Sequence, residues 1–188
     1  QARFRRADFE WAREIAGALL THFEDRERGG FFFTSHDHER LFHRAKPGHD
    51  NATPSGNGVA ALALQRLGHL IGEPRYLAAA ERCLRSFADA LQAPAGCATM
   101  VMALAEYLVP PTIVVLRGTG PELERWQQRL AARYAPDTLV LALPATLAGL
   151  PAALDKSLQG DPCAWACQGL QCSAPICNLD ELLLTLGR

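Results

Sequence analysis

Between Lys46 and Asn57 the chain reads Lys-Pro-Gly-His-Asp-Asn-Ala-Thr-Pro-Ser-Gly-Asn. Asp50, Thr53, Ser55 and Asn57 are short polar groups suited to recognising hydroxyls. Arg44 and Lys46 could pair with Asp50 or hold an anion. These six residues form the candidate substrate-binding set. The same residue types have a plainer use, since Ser and Thr ahead of an apolar helical run cap helices. Capping accounts for Thr53 and Ser55 without a ligand, so both readings stand. Acid–base work by two carboxylates needs a pair roughly 5–10 Å apart. Asp50 and Asp37 are the available acids, and sequence alone does not place them together, so no catalytic residue is assigned.

Five of the six histidines fall between His22 and His49. His36 and His38 would share one face of a strand, as metal ligands can. No His-Glu-x-x-His pattern accompanies them, and a solvated polar loop is the preferred reading. The six cysteines are Cys83, Cys97, Cys163, Cys167, Cys172 and Cys177. The last four are spaced C-x3-C-x4-C-x4-C, unlike the paired C-x2-C knuckles of structural zinc sites. Cys167 and Cys172 are the candidate redox pair, provided their Cα atoms come within ~7 Å across a turn at Gly169. The expectation for the cysteines as a group is buried, reduced thiols, with Cys83 and Cys97 in helical cores. Gly118-Thr119-Gly120 is half of a dinucleotide-binding loop, but Leu123 stands where the third glycine belongs. Neither a metal nor a cofactor is expected.

The elements that would hold these residues follow from periodicity. Apolar groups at Phe9, Ala12, Ile15, Ala16, Leu19, Leu20 and Phe23 predict an amphipathic helix over 7–23. Phe31–Thr34 and Arg40–Arg44 flank a polar stretch and predict a β-hairpin. Thr53 as cap and Pro54 at the first helical position predict a helix over 53–71, closed by Gly72. Pro74 opens the next, with a stripe running from Leu77 to Leu91, and a third covers about 95–108 before Pro110-Pro111. Short links make these three antiparallel neighbours. Beyond Pro110 the pattern changes to strand 112–116, a helix from Pro121 and strand 138–143, a right-handed βαβ unit. Residues 163–167 are a possible third strand, and Asn178 caps a short helix over 179–186. The fold class is therefore mixed α and β. Residues 1–109 are read as a helical-hairpin segment with an inserted β-hairpin, and 110–188 as a small α/β segment with a short parallel sheet.

The 188 residues carry 19 Lys+Arg against 20 Asp+Glu, with 48% hydrophobic residues. This balance suits a globular chain with a real core and excludes a disordered or collagen-like one. Bulk basicity gives no reason to expect nucleic acid, and no apolar run of ~18 residues predicts a membrane span. The start at Gln1 shows no signal-peptide pattern and is read as a cut end, so the expected location is cytoplasmic.

Several of these stretches resemble a known family. Gly29-Gly30-Phe31-Phe32-Phe33-Thr34, Arg44-Ala45-Lys46 and Asp50-Asn51-Ala52-Thr53-Pro54-Ser55-Gly56-Asn57-Gly58-Val59-Ala60 resemble the C-terminal half of thioredoxin-domain-containing proteins of the spermatogenesis-associated type. Cys167, Cys172 and Pro175 fall where that family carries a Cys-x4-Cys-x2-Pro element. The likeness covers nearly the whole chain. It implies an N-terminal thioredoxin-like domain followed by an α/α toroid related to six-hairpin glycosidases and N-acylglucosamine 2-epimerases. This chain would hold the last hairpins of the toroid and the α/β portion after it. The epimerases use histidines as acid and base, but no histidine here is matched to those positions.

The resemblance implies carbohydrate binding, or sugar-directed catalysis, in the full-length protein, and no settled activity. Two other readings remain open: a non-catalytic interaction or scaffold module, and a redox module using Cys167 and Cys172. A slice of a toroid would leave apolar helix faces without neighbours, so self-association is expected.

Overall fold

A computed structural model of the chain describes residues 4–169 and 171–187. Gln1 and Arg3, from which the cut start was read, lie outside them. The fold is mixed α and β. Helices α1 (Arg6–His22), α2 (Gly56–Ile71), α3 (Pro74–Ser86) and α4 (Ala98–Leu108) come first. Strand β1 (Thr112–Gly118), helix α5 (Gly120–Ala131), strands β2 (Thr138–Pro144), β3 (Cys163–Gln168) and β4 (Gln171–Cys172), and helix α6 (Leu179–Thr185) follow. The chain divides into two compact units. One contains Phe9–His69 and Glu73–Val109; the other contains the residues up to Asp8, Leu70–Gly72 and those from Pro110 onward.

In the helical unit α2 and α3 run antiparallel. The Cys83 thiol donates to the Asn57 carbonyl at one end of the pair, and Leu77 packs on Gly68 at the other. Gly68 is required there, because a Cβ would stand 2.7 Å from Leu77. Helix α4 lies along α2, with Gln65 Nε2 donating to the Ala103 carbonyl at 2.9 Å. The Arg66 guanidinium grips the Glu106 carboxylate one turn further. The three helices of residues 53–108 thus pack as antiparallel neighbours in chain order.

Three boundaries differ from expectation. Thr53 is exposed and Pro54 precedes the helix; α2 begins at Gly56, and Ser55 is its cap, with Oγ accepting from Gly58 N at 3.1 Å. Helix α3 stops at Ser86 instead of reaching Leu91, because Phe87 leaves the helical path to lie against Gly30 and Gly48. A Cβ on either glycine would come within 3.1 or 2.5 Å of its ring. Two 3-10 turns, Ala90–Gln92 and Pro94–Gly96, then lead to α4.

The β-hairpin over 31–44 does not form. Gly29 and Gly30 both take left-handed backbone, with φ 76° and 78°, and fold the chain back so that Phe31 bridges Glu24. The two aromatic runs meet through the backbone at Phe33 N to Ala45 O, 2.8 Å. Arg44 takes the Thr34 carbonyl, an acceptor that a strand ladder would use. Phe33, Leu41 and Phe42 are exposed, so these runs have no common apolar face to bury.

In the second unit the sheet order is β2-β1-β3-β4. β1 and β2 are parallel, with Val114 opposite Val140, and α5 makes the crossover between them. β3 is antiparallel to β1, with Trp165 opposite Val115. One face of the sheet (Val114, Leu116, Ala142 and Ala164) packs with Leu123, Trp126 and Leu130 of α5 and Leu179 and Leu182 of α6. The Asn178 carboxamide accepts from Glu181 N at 3.0 Å and caps α6 as read from the sequence. No helix among the described residues is long and apolar enough to cross a membrane.

Candidate functional site

The six polar residues of the candidate set do not converge on one cavity. Asp50 ties two helix starts together: one carboxylate oxygen accepts from Ser55 N, ahead of α2, and the other from Thr99 N in the first turn of α4, each at 2.8 Å. The N–H groups of Thr99 and Ser55 stabilise the ionised form and hold its pKa below the usual carboxylate value. Asn57 is buried; its Oδ1 accepts from Phe31 N at 2.6 Å, and its Nδ2 donates to the carbonyls of Phe31 and Pro47, both at 3.0 Å. Ser55 is the α2 cap. The exposed Thr53 contributes its carbonyl to a turn, accepting from Asn51 N at 3.0 Å. The side chains of Asp50, Ser55 and Asn57 are thus engaged within the fold, and the cap expected at Thr53 is supplied by Ser55.

Arg44 and Lys46 differ, because both line an open cleft of about 760 Å³ formed by the residues around 21–46. Lys46 Nζ donates to Asp25 Oδ2 at 2.7 Å and to the Gly29 carbonyl at 2.9 Å. It does not pair with Asp50. Burial works to raise the Asp25 pKa, but the Lys46 ammonium and the N–H groups of Arg28 and Glu27 outweigh it, and the group is held below its usual value. The Arg44 guanidinium lies 3.9 Å over the Phe32 ring and reaches His36 Nδ1 at 3.1 Å. His36 Nε2 lies 3.0 Å from the Glu24 carbonyl, so the ring bridges an arginine and a backbone acceptor. Among the described residues no group of three His, Cys, Asp or Glu side chains is placed to hold a metal.

The cysteines correct the expectation of free thiols. Cys167 is joined to Cys172 and Cys163 to Cys177, while Cys83 and Cys97 are free and buried. Burial pushes the Cys83 thiol up to about 12, which makes it unreactive. Cys167 and Cys172 are register partners in the antiparallel β3–β4 pair, with Cα atoms 3.9 Å apart. Gly169, at φ 57°, bends the chain between them. Cys167 is buried, but Cys172 lies exposed on the edge strand. Lys156 Nζ stands 3.5 Å from Cys172 Sγ. Sequence reading missed Lys156, which lies 16 residues away in an irregular stretch, and it missed the Cys163–Cys177 pairing.

The Gly118-Thr119-Gly120 turn already holds an anion of its own. Asp161 accepts from Thr119 N at 2.6 Å and from the Thr119 hydroxyl. A carboxylate thus sits ahead of α5, where a dinucleotide phosphate would need to bind. No family model matches the chain, and a search of curated proteins gives no match.

Proposed function

We propose that the chain is the C-terminal portion of a protein of the thioredoxin-domain-containing family and that its chemistry is thiol–disulfide exchange at Cys167–Cys172. The observation that carries this reading is the Lys156 ammonium 3.5 Å from the sulfur of the exposed residue Cys172; Cys163–Cys177 likewise joins a buried to an exposed residue, but its sulfurs have no such cation beside them among the described residues. A nearby cation favours the thiolate form of a cysteine. The sequence likeness adds a chemically suitable partner, a dithiol of the thioredoxin type.

The exchange balances as a two-electron transfer. One partner thiolate attacks Cys172 Sγ, the accessible sulfur; the Cys167–Cys172 bond breaks and Cys167 leaves as a thiolate that takes up a proton. The partner's second thiolate then attacks its own first sulfur, and Cys172 leaves as a thiolate beside Lys156. The partner is oxidised to its disulfide, Cys167 ends as a thiol and Cys172 as a thiolate beside Lys156. In the reverse direction Cys172 is the nucleophile.

Alkylation with mass-spectrometric readout, after brief incubation with a thioredoxin-type dithiol, tests the reading. Cys167 and Cys172 should label well before Cys163 and Cys177, and Lys156→Ala should slow the labelling several-fold. Equal labelling of all four, at a rate indifferent to Lys156, would reject it. A carbohydrate ligand of the whole protein remains the alternative, but Asp50, Ser55 and Asn57 lend it no support, since their polar atoms are committed within the chain.

The family reading also favours self-association through helix faces left without neighbours. Helix α4 supports this, as Val101, Met102 and Leu108 on it are exposed.

A further inference from the structure

We propose that the cleft around residues 21–46 binds a small, hydroxyl-rich anion, such as a sugar acid or sugar phosphate. Its volume of about 760 Å³ lies in the range of small-molecule sites. The lining carries four cations and three carboxylates, and one of the carboxylates is neutralised twice. Glu24, whose side chain is only 3% exposed, is gripped by Arg82 and lies 3.6 Å from Arg26. Asp25 is paired with Lys46. Within the lining, cations therefore exceed carboxylates by one, and Arg82 adds a further cation at Glu24.

The way these groups are held sharpens the proposal. Arg44 is fixed by Thr34, His36 and the Phe32 ring, and Lys46 by Asp25 and Gly29, so a ligand meets donors already in place. Preorganised groups cost little ordering on binding. Arg28 and His43 also line the cleft, are exposed, and have no side-chain partner among the described residues. A free guanidinium recognises carboxylate or phosphate through two parallel hydrogen bonds. Glu27, likewise unpartnered on the same rim, supplies an acceptor for hydroxyls. Donor and acceptor side by side distinguish a hydroxyl-bearing anion from a bare one. This inference is independent of the disulfide chemistry, which uses other residues.

Calorimetric titration of the chain with glucose 6-phosphate, glucuronate, glucose and inorganic phosphate tests it. At least one anionic sugar should bind at least tenfold more tightly than both glucose and inorganic phosphate, and raised salt should weaken it. Arg28→Ala should reduce that affinity at least tenfold without lowering the Tm, since the side chain supports nothing in the fold. Arg129→Ala, on α5, should leave it unchanged. Absence of binding by both anionic sugars, equal binding of inorganic phosphate, or an affinity insensitive to Arg28→Ala would each overturn the proposal.

Discussion

The Asn57 carboxamide and the Phe31 peptide bond each other from both sides: Phe31 N donates to Asn57 Oδ1 at 2.6 Å and Asn57 Nδ2 donates to Phe31 O at 3.0 Å. A side chain on the first turn of α2 thereby takes the peptide groups of Phe31 that the bridge to Glu24 leaves over. It also explains why Gly30 precedes Phe31, since a Cβ there would stand 3.1 Å from Asn57 Oδ1. Asn57→Ala leaves buried peptide groups of Phe31 and Pro47 without partners and should cost about 3 kcal/mol or more. Asn57→Asp keeps the shape but turns a carboxylate toward two carbonyls, so it should be at least as destabilising at neutral pH. Urea unfolding of both variants checks the order.

Asp50 predicts acid sensitivity of the helical unit. Its pKa is lowered in the folded chain by the N–H groups of Thr99 and Ser55. A lowered folded value means the stabilisation is full above the unfolded pKa, about 4, and is lost as pH falls through the folded value. Asp50→Asn should therefore lower the Tm at pH 7, and the gap between variant and parent should narrow below pH 4. A gap that stays constant from pH 7 to pH 3 would remove the charge from the account.

The helices and the parallel βαβ unit were legible because each rests on a local period: Val114 and Val140 sit in continuous apolar runs, and Leu123, Trp126 and Leu130 form one stripe. The hairpin over 31–44 was misread because aromatic β-propensity says nothing about burial. Phe33 and Phe42 point to solvent, and the pairing went to Glu24 through two left-handed glycines. Residues such as Asp50 carry equal signals for capping and for binding. Only the positions of Thr99 and Ser55 show which use is made of it. Lys156 beside Cys172 is a tertiary contact with no local signature.

The two disulfides should separate by stability as well as by reactivity. Cys163–Cys177 spans 14 residues and Cys163 is fully buried, whereas Cys167–Cys172 spans 5. Loop-closure entropy assigns about 3 kcal/mol to the first and about 2 kcal/mol to the second. The double variant Cys163→Ser with Cys177→Ser should lose more stability than Cys167→Ser with Cys172→Ser, read from urea midpoints. Each double variant buries one serine hydroxyl, at position 163 or 167, so the difference rests on loop length.

Gln65 is buried between α2 and α4; its Nε2 bridges the Ala61 and Ala103 carbonyls, and its Oε1 has no partner among the described residues. An unsatisfied buried oxygen offsets what the two donated bonds contribute. Gln65→Met keeps the volume and removes the orphan atom, so its stability should lie within about 1 kcal/mol of the parent. A loss of several kcal/mol would show that the donated bonds, and not packing, hold α2 against α4.

Helix α4 supplies the last test. Only Met100 and Ala103 on it are fully buried, while Met102 is 54% and Leu108 68% exposed. A helix apolar on all sides is ordinarily covered on all sides, and exposed apolar faces associate. Sedimentation velocity should show a weight-average mass that rises with concentration in the micromolar range. Met102→Glu places a charge on that face, at a position that is 54% exposed. It should return the chain toward monomer without lowering the Tm. A parent that remains monomeric at all concentrations would mean that this face needs no cover.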